Sequence, residues 1–479
     1  MDSIKICIAI FSLILFNANP SYSQTWTELG GKNGLAANEK IEAICSDSAG
    51  NIYAAGSFTN GASPSAGKYY VAKWNKSTWN ELGGVNGIGA KNNNAIFALC
   101  SDKYGNIYAG GAFSNDSGKY YVAKWDGISW SELGGFNSLK ANGYIETICA
   151  GKSGSIYAAG MFTNGNRSQT GNHYVAKWNG STWVELGGPG LSKFNGSINS
   201  IFCDTMENIY AAGEFYNDSL NYYVAKWDGN SWSELGGRNS LAANEMILSI
   251  SGDKNGNVFA AGLFTNGLSS QTGKNYVAKW NGLNWSELGG RNGLAANATI
   301  QSIQIDKNNN VYAAGIFTND SVWPSGKHYV AVWNGSNWSE VGGRNALSAN
   351  SHIADICVDF SNQLYAAGSF TNENSVSLGK KYVAKFSGSS VGIKNEITEV
   401  GLSVFPNPVQ TQLKVWNNRH SLHGSYLIIS DMLGRKVLEF SITESSSVFS
   451  IPVQELKNGA YILSLQKEGE TSRMKFVKE

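Results

Sequence analysis

Short apolar runs alternate with polar turns along most of this chain, and no stretch carries the period of an amphipathic helix. Ile41-Glu42-Ala43-Ile44-Cys45 predicts a strand, and Asp47-Ser48-Ala49-Gly50-Asn51 a hairpin turn. Residues 52–58 predict a second strand, Tyr70-Val71-Ala72-Lys73-Trp74 a third and Trp79-Asn80-Glu81-Leu82 a fourth, which Gly83-Gly84 ends. The pattern then repeats. The tryptophan opening the fourth strand stands at Trp26, Trp79, Trp130, Trp183, Trp232, Trp285 and Trp338, in steps of 53, 51, 53, 49, 53 and 53 residues.

A lone four-stranded sheet cannot bury both faces, whereas such sheets stacked around an axis bury them against one another. The chain ends supply the closure. Thr25-Trp26-Thr27-Glu28-Leu29 is a fourth strand with no strands before it, and the last repeat stops after its third, Tyr382-Val383-Ala384-Lys385-Phe386. Pairing the two completes a ring of seven. The expectation is all-β: a seven-bladed β-propeller over residues 24–390, its N-terminal strand closing the last blade. A linker over 391–400 and a small C-terminal β-sandwich over 401–479 follow.

Residues 1–23 read as a secretory signal peptide. Lys5 precedes an apolar run over residues 6–16, and Ser21 and Ser23 are the small residues before cleavage between Ser23 and Gln24. The run is too short to span a bilayer, and no later segment reads as membrane-spanning. Formal charge is +1 with 15% charged residues, which argues against nucleic acid as a partner. A monomer is expected. Export permits disulfides, but Cys45, Cys100, Cys149 and Cys357 share one repeat position, with Cys203 displaced by one, so each falls in a different blade. They read as buried small side chains.

The repeat, from Gly160-x-Phe162 to Gly187, resembles the kelch and galactose-oxidase-like bacterial propellers with G-x-F…V-A-x-W-[ND]-G-x-x-W-x-x-L-G blades. That implies architecture and little about activity. The C-terminal segment carries Phe405-Pro406-Asn407-Pro408, Asp431-x-x-Gly434-Arg435-x-Val437, Leu456-x-x-Gly459-x-Tyr461 and Lys475-Phe476-x-Lys478 in order. This set resembles the type A sorting domain of the type IX secretion system of Bacteroidota. The resemblance implies engagement of that machinery, passage through the periplasm and outer membrane, and release or attachment at the cell surface.

Whatever stands in every copy is most simply read as structural. The seven glutamates (Glu81 and its equivalents) and the recurrent lysines (Lys73 and its equivalents) read as cross-strand pairs on the two outer strands, because catalysis needs one asymmetric pair. The first-turn aspartates, among them Asp47 and Asp253, read as turn formers rather than calcium ligands. His173, His328 and His352 fall in three different blades and read as surface residues. No cofactor is expected. Asn38 and six equivalents, each three residues before an isoleucine, read as backbone caps.

Function is then sought where copies differ. The turns after strands one and three share one face, and the longer loops after strands two and four share the other. The second-strand loop is shorter in two blades: Phe113 to Tyr121 and Phe215 to Tyr223 span 8 residues, against 12 elsewhere. The residue before the isoleucine varies (Lys40, Ala95, Tyr144, Ser197, Met246, Thr299, His352) and should ring the channel mouth. After Gly-Gly, Lys32, Arg238, Arg291 and Arg344 form a basic arc opposite Val85, Phe136 and Pro189. Lys40, Tyr144, His352, Arg238, Arg291 and Arg344 are therefore the candidate contacts of a glycan or protein ligand. No unrepeated carboxylate pair stands out beside them. The expected function is non-enzymatic binding by a secreted or surface propeller. A polysaccharide hydrolase or lyase, or a purely structural surface protein, are the competing readings.

Overall fold

In the computed structural model the described residues are 25–63, 66–88, 95–166, 170–188, 194–269, 272–320, 324–373, 379–387, 402–405, 409–417, 422–431, 435–443, 448–467 and 470–479. The signal peptide with Ser23 and Gln24, the linker, Pro189, Pro406, Asn407, Pro408 and Gly434 lie outside them. The chain divides into two units, residues 1–391 and 392–479.

Seven four-stranded antiparallel sheets make up the first unit. The first has strands Ile41–Ser46, Ile52–Gly56, Ala72–Trp74 and Trp79–Glu81 in spatial order. The last sheet takes its fourth strand from the other end of the chain. Thr25–Glu28 pairs antiparallel with Ala384–Ser387, placing Trp26 opposite Phe386 and Glu28 opposite Ala384. The innermost strand of every sheet packs on those of the sheets before and after it, and that of the seventh packs on that of the first. The sheets therefore form a closed ring, as in a propeller, and strand one lines its axis. An isolated bridge between Ala37 and Lys381 closes the ring a second time at loop level.

The apolar core lies between blades. Seven clusters each straddle two neighbouring sheets, as where Cys45, Tyr53, Ala55 and Val71 of the first meet Ile96, Ile107, Ala109 and Phe113 of the second. The five cysteines among the described residues are free, with Cys45 and Cys357 buried. The alternation of the middle strands is suppressed because both faces are covered: Ile52–Gly56 is buried at every position.

Each innermost strand carries a bulge at its second residue, between Ile41 and Ala43 in the first blade and at the equivalent place in all seven. The bulge presses a carbonyl onto the glycine of the facing strand. A Cβ on Gly56 would lie 2.2 Å from the Lys40 oxygen, and one on Gly160 2.3 Å from that of Tyr144. Only glycine fits there, which is why Tyr-Ala-Ala-Gly recurs.

In the second unit, Leu402–Phe405, Gln412–Asn417 and Val448–Pro452 form one sheet. Tyr426–Asp431, Lys436–Ser441, Gly459–Lys467 and Glu470–Lys478 form another. Leu413, Val415 and Ile451 share a buried cluster with Leu427, Ile429, Leu463 and Phe476. No helix among the described residues is long and apolar enough to cross a membrane.

Candidate functional site

The residues present in every blade are committed to holding the ring. Each fourth-strand tryptophan donates its indole N–H to a backbone carbonyl of the preceding blade: Trp79 across the seam to Leu29 at 2.8 Å, Trp285 to Leu235 at 3.1 Å, and Trp26 to Val341 at 3.1 Å. Seven such clasps encircle the molecule. The first-turn aspartates are saturated by their own turns. Asp47 accepts the Asn51 N–H and amide through its two oxygens, and Oδ2 also takes the Tyr53 hydroxyl at 2.9 Å. Those bonds outweigh burial and hold the Asp47 carboxyl below its ordinary range.

Two expectations about the repeated residues need correction. The glutamates and lysines do not pair, because the register sets Lys73 opposite Asn80 and Glu81 opposite Ala72, on opposite faces of the sheet. Glu81 instead accepts from Asn60 of the second-strand loop at 3.0 Å, as all seven glutamates do from their loop asparagines. Lys73 lies over the Tyr53 ring at 5.7 Å, an arrangement repeated at Lys177, Lys226 and Lys279. The asparagines before the innermost strand do cap backbone, but that of the other long loop: Asn38 Oδ1 accepts the Thr59 N–H at 3.0 Å and Asn195 that of Tyr216.

The variable residues divide into an inner and an outer set. Lys40, Tyr144 and His352 stand beside the bulges, each just before a strand that lines the axis, and each backbone carbonyl accepts the N–H of the residue that follows the second strand. Lys40 pairs with Glu42 at 2.7 Å. His352 faces Ser369 at 3.3 Å. Burial, with Lys40 and His328 nearby, pushes its imidazole down to about 4, so His352 is neutral near pH 7 and adds no positive charge. Tyr144 packs edge-on against Tyr120 and Phe97, at 5.2 and 6.2 Å between centroids. The three histidines of this unit are half-buried rather than surface residues, since the loop bridge at His173 and His328 turns their rings into the wall.

Arg238, Arg291 and Arg344 form the outer set, at the rim. Two of their charges are offset: Arg344 meets Asp320 at 3.1 Å and Arg238 meets Asp218 at 3.9 Å, while Lys32 pairs with Glu373 at 2.8 Å. Arg291 has no acidic partner among the described residues. The basic arc is thus largely neutralised by loops of the same or the preceding blade.

A group of unrepeated carboxylates also appears, contrary to expectation. The bulged residue itself is Glu42 in the first blade and Glu146 in the third, and the residue after the close-approach glycine is Glu214 in the fourth. Burial, then Glu214, then Glu42 raise the Glu146 carboxyl to about 7. The signal was present two residues beyond the variable position, at the residue that the bulge sets off from the ladder.

One step further along, the innermost strands carry a belt of hydrogen bonds between blades. Thr147, Ser200, Ser249 and Ser302 hydroxyls accept the N–H of Ile201, Ile250, Ile303 and Ile356, at 3.1 to 3.3 Å. At the seam the acceptor is a carboxylate. Asp355 takes the Ile44 N–H at 2.9 Å through Oδ2, and the Ser302 hydroxyl at 2.9 Å through Oδ1. Burial nevertheless raises it to about 6.

In the second unit the described residues of the ordered motifs build the fold. Asp431 accepts the Arg435 N–H and Nε–H, at 3.0 and 2.7 Å. Gly459 sits opposite Lys478, Tyr461 opposite Phe476 and Ile462 opposite Lys475 in one strand pair. The Tyr461 ring stacks on Phe476 at 5.7 Å, and its hydroxyl donates to the Lys457 carbonyl.

Residues 403–479 match the family model described as a secretion system C-terminal sorting domain. No curated protein matches the chain. Among solved structures it is similar to PorZ of Porphyromonas gingivalis, a bacterial surface component of the type IX secretion system. The identity is 14% and the TM-score 0.46, over 92% of this chain and 59% of that one. It is also similar to the β-propeller domain of the trilobed protease of Pyrococcus furiosus, at 10% identity and a TM-score of 0.46, over 74% of this chain and 95% of that one. Likenesses this distant transfer no function. The sorting domain does establish the route: the protein is exported by the type IX secretion system, to the cell surface or beyond.

Proposed function

We propose that the exported ring is a non-enzymatic recognition module, acting as a monomer and binding a glycan or protein partner through its long-loop face. The observation that carries this reading is the division of labour among side chains. Residues repeated in every blade are consumed by inter-blade clasps and turns, whereas unrepeated ones gather at one end of the axis: Lys40, Tyr144, His352, Glu42, Glu146 and Glu214. Arg291 extends the surface to the rim. Tyr144 offers an aromatic contact, and Lys40 and Glu42 offer donors and acceptors that water already reaches. On the same reading the blades belong to the kelch group, and the two-sheet C-terminal unit is a β-sandwich that addresses the secretion machinery.

Glycan-array binding by the purified protein tests it. Loss of a specific signal in Tyr144→Ala and Arg291→Ala supports the reading, and a signal indifferent to both removes it. One observation favours a second reading, polysaccharide hydrolysis. A carboxyl titrating near neutrality beside other carboxylates is what a general acid needs. Turnover of a polysaccharide that vanishes in Glu146→Gln would replace binding by catalysis.

A further inference from the structure

We propose that the second and fourth blades each carry a pocket for a single sugar unit at their outer edge, apart from the channel mouth. A cavity of about 230 Å³ in the second blade is lined by Asn115, Tyr121, Trp130, Ser131, Glu132 and Phe136. Its counterpart in the fourth, about 400 Å³, is lined by the equivalent Asn217, Tyr223, Trp232, Ser233 and Glu234, with Phe194. The first volume lies below the usual range of small-molecule sites and the second near its lower end, which suits one ring rather than a chain. Flat indole and phenol walls beside an amide and a carboxylate are the chemistry that recognises a sugar, with one apolar face and a rim of hydroxyls.

The carboxylates set these two blades apart. Glu132 Oε2 accepts from Asn115 at 3.0 Å and Glu234 Oε2 from Asn217 at 3.1 Å, but Oε1 of each is shielded from solvent and has no donor among the described residues. In Glu28, Glu81, Glu287 and Glu340 the same oxygen takes the N–H of Asn33, Asn86, Asn292 and Asn345, at 2.5 to 2.7 Å. The first blade has a comparable cavity of about 400 Å³, and there Glu81 is saturated. The second and fourth are also the blades with the shortened second-strand loop. A shielded carboxylate oxygen without a donor is costly, and a small rotation toward an entering hydroxyl relieves it. Two equivalent pockets with the same unmet acceptor point to one ligand bound twice.

The test uses the full secreted chain and the methyl glycosides of glucose, galactose, mannose and N-acetylglucosamine. Saturation-transfer NMR and calorimetry at millimolar concentrations would read the binding. At least one glycoside is expected to bind with two sites per chain. Glu132→Gln and Glu234→Gln should each weaken one site by about tenfold to a hundredfold, as for a hydrogen bond to a charged group. Filling the pockets with Ser131→Tyr and Ser233→Tyr together should abolish both sites in a chain whose melting transition is retained. Tyr144→Ala should leave both intact, which separates this site from the channel mouth. Binding by none of the four glycosides overturns the proposal, as does a stoichiometry of two that survives the pocket-filling pair.

Discussion

Replacing Asp355 by serine should make the ring more stable at neutral pH. Asp355 is the one carboxylate in a belt otherwise built from hydroxyls, and it sits where the seventh blade meets the first. Its folded value of about 6 lies above the roughly 3.9 of an unfolded aspartate. The folded state therefore holds the proton more tightly. Below about pH 4 both states are protonated and nothing is lost. As pH rises from about 4 to about 6 the unfolded chain ionises first, and folding stability falls. By pH 7 the loss approaches about 3 kcal/mol, an upper bound because the side chain is only partly shielded from the channel. Serine carries no such penalty, and Ser302 already shows that a hydroxyl here reaches the next isoleucine N–H. Asp355→Ser should thus gain about 1–3 kcal/mol at pH 7 and little or nothing at pH 4. Asp355→Ala should forfeit most of that gain, since the Ile44 N–H loses its acceptor at about 1–3 kcal/mol. Urea unfolding of the three proteins between pH 4 and 7 reads the difference directly, and other titrating groups cancel in it. If wild type and Asp355→Ser run parallel with pH, or the serine protein is the weaker at pH 7, the reasoning is wrong.

The Glu146 carboxyl should titrate near pH 7 by carbon-13 NMR, and its midpoint should fall in Glu214→Gln, because a neighbouring negative charge is removed. Trp285→Phe keeps most of the packing but loses the bond to the Leu235 carbonyl, so chemical denaturation should show a loss of about 1–2 kcal/mol. Deleting Thr25–Glu28 strips the last blade of its outer strand and of the Trp26 clasp. The truncated protein should unfold at markedly lower urea concentration and gain early amide exchange in Ala384–Ser387.

Much of the architecture was legible because the repeat states it seven times. Strand alternation, turn aspartates and small residues are local signals, and the orphan fourth strand at Trp26 announced how the ring closes. The candidate site was only half legible. Lys40, Tyr144 and His352 stand out at one repeat position, yet the carboxylates of Glu42 and Glu146 stand two residues further on. A one-residue bulge leaves no trace in an apolar–polar pattern, and it decides which side chain turns to the axis. The supposed Lys73–Glu81 pair failed for a related reason: strands three and four face each other in a register offset by one residue, and a single step moves a side chain to the opposite face.

Blade number, strand order and the route of export were therefore written in the chain, in signals that lie within one repeat or one motif. The partner of each polar group was decided only on folding. Trp285 finds Leu235 and Asp355 finds Ile44 across 50 and 311 residues, where inter-blade packing, not local preference, sets who meets whom. The same folding leaves Glu132 and Glu234, in the two blades with the shortened loop, with an oxygen unmet among the described residues, while Glu81 in the same repeat position is satisfied.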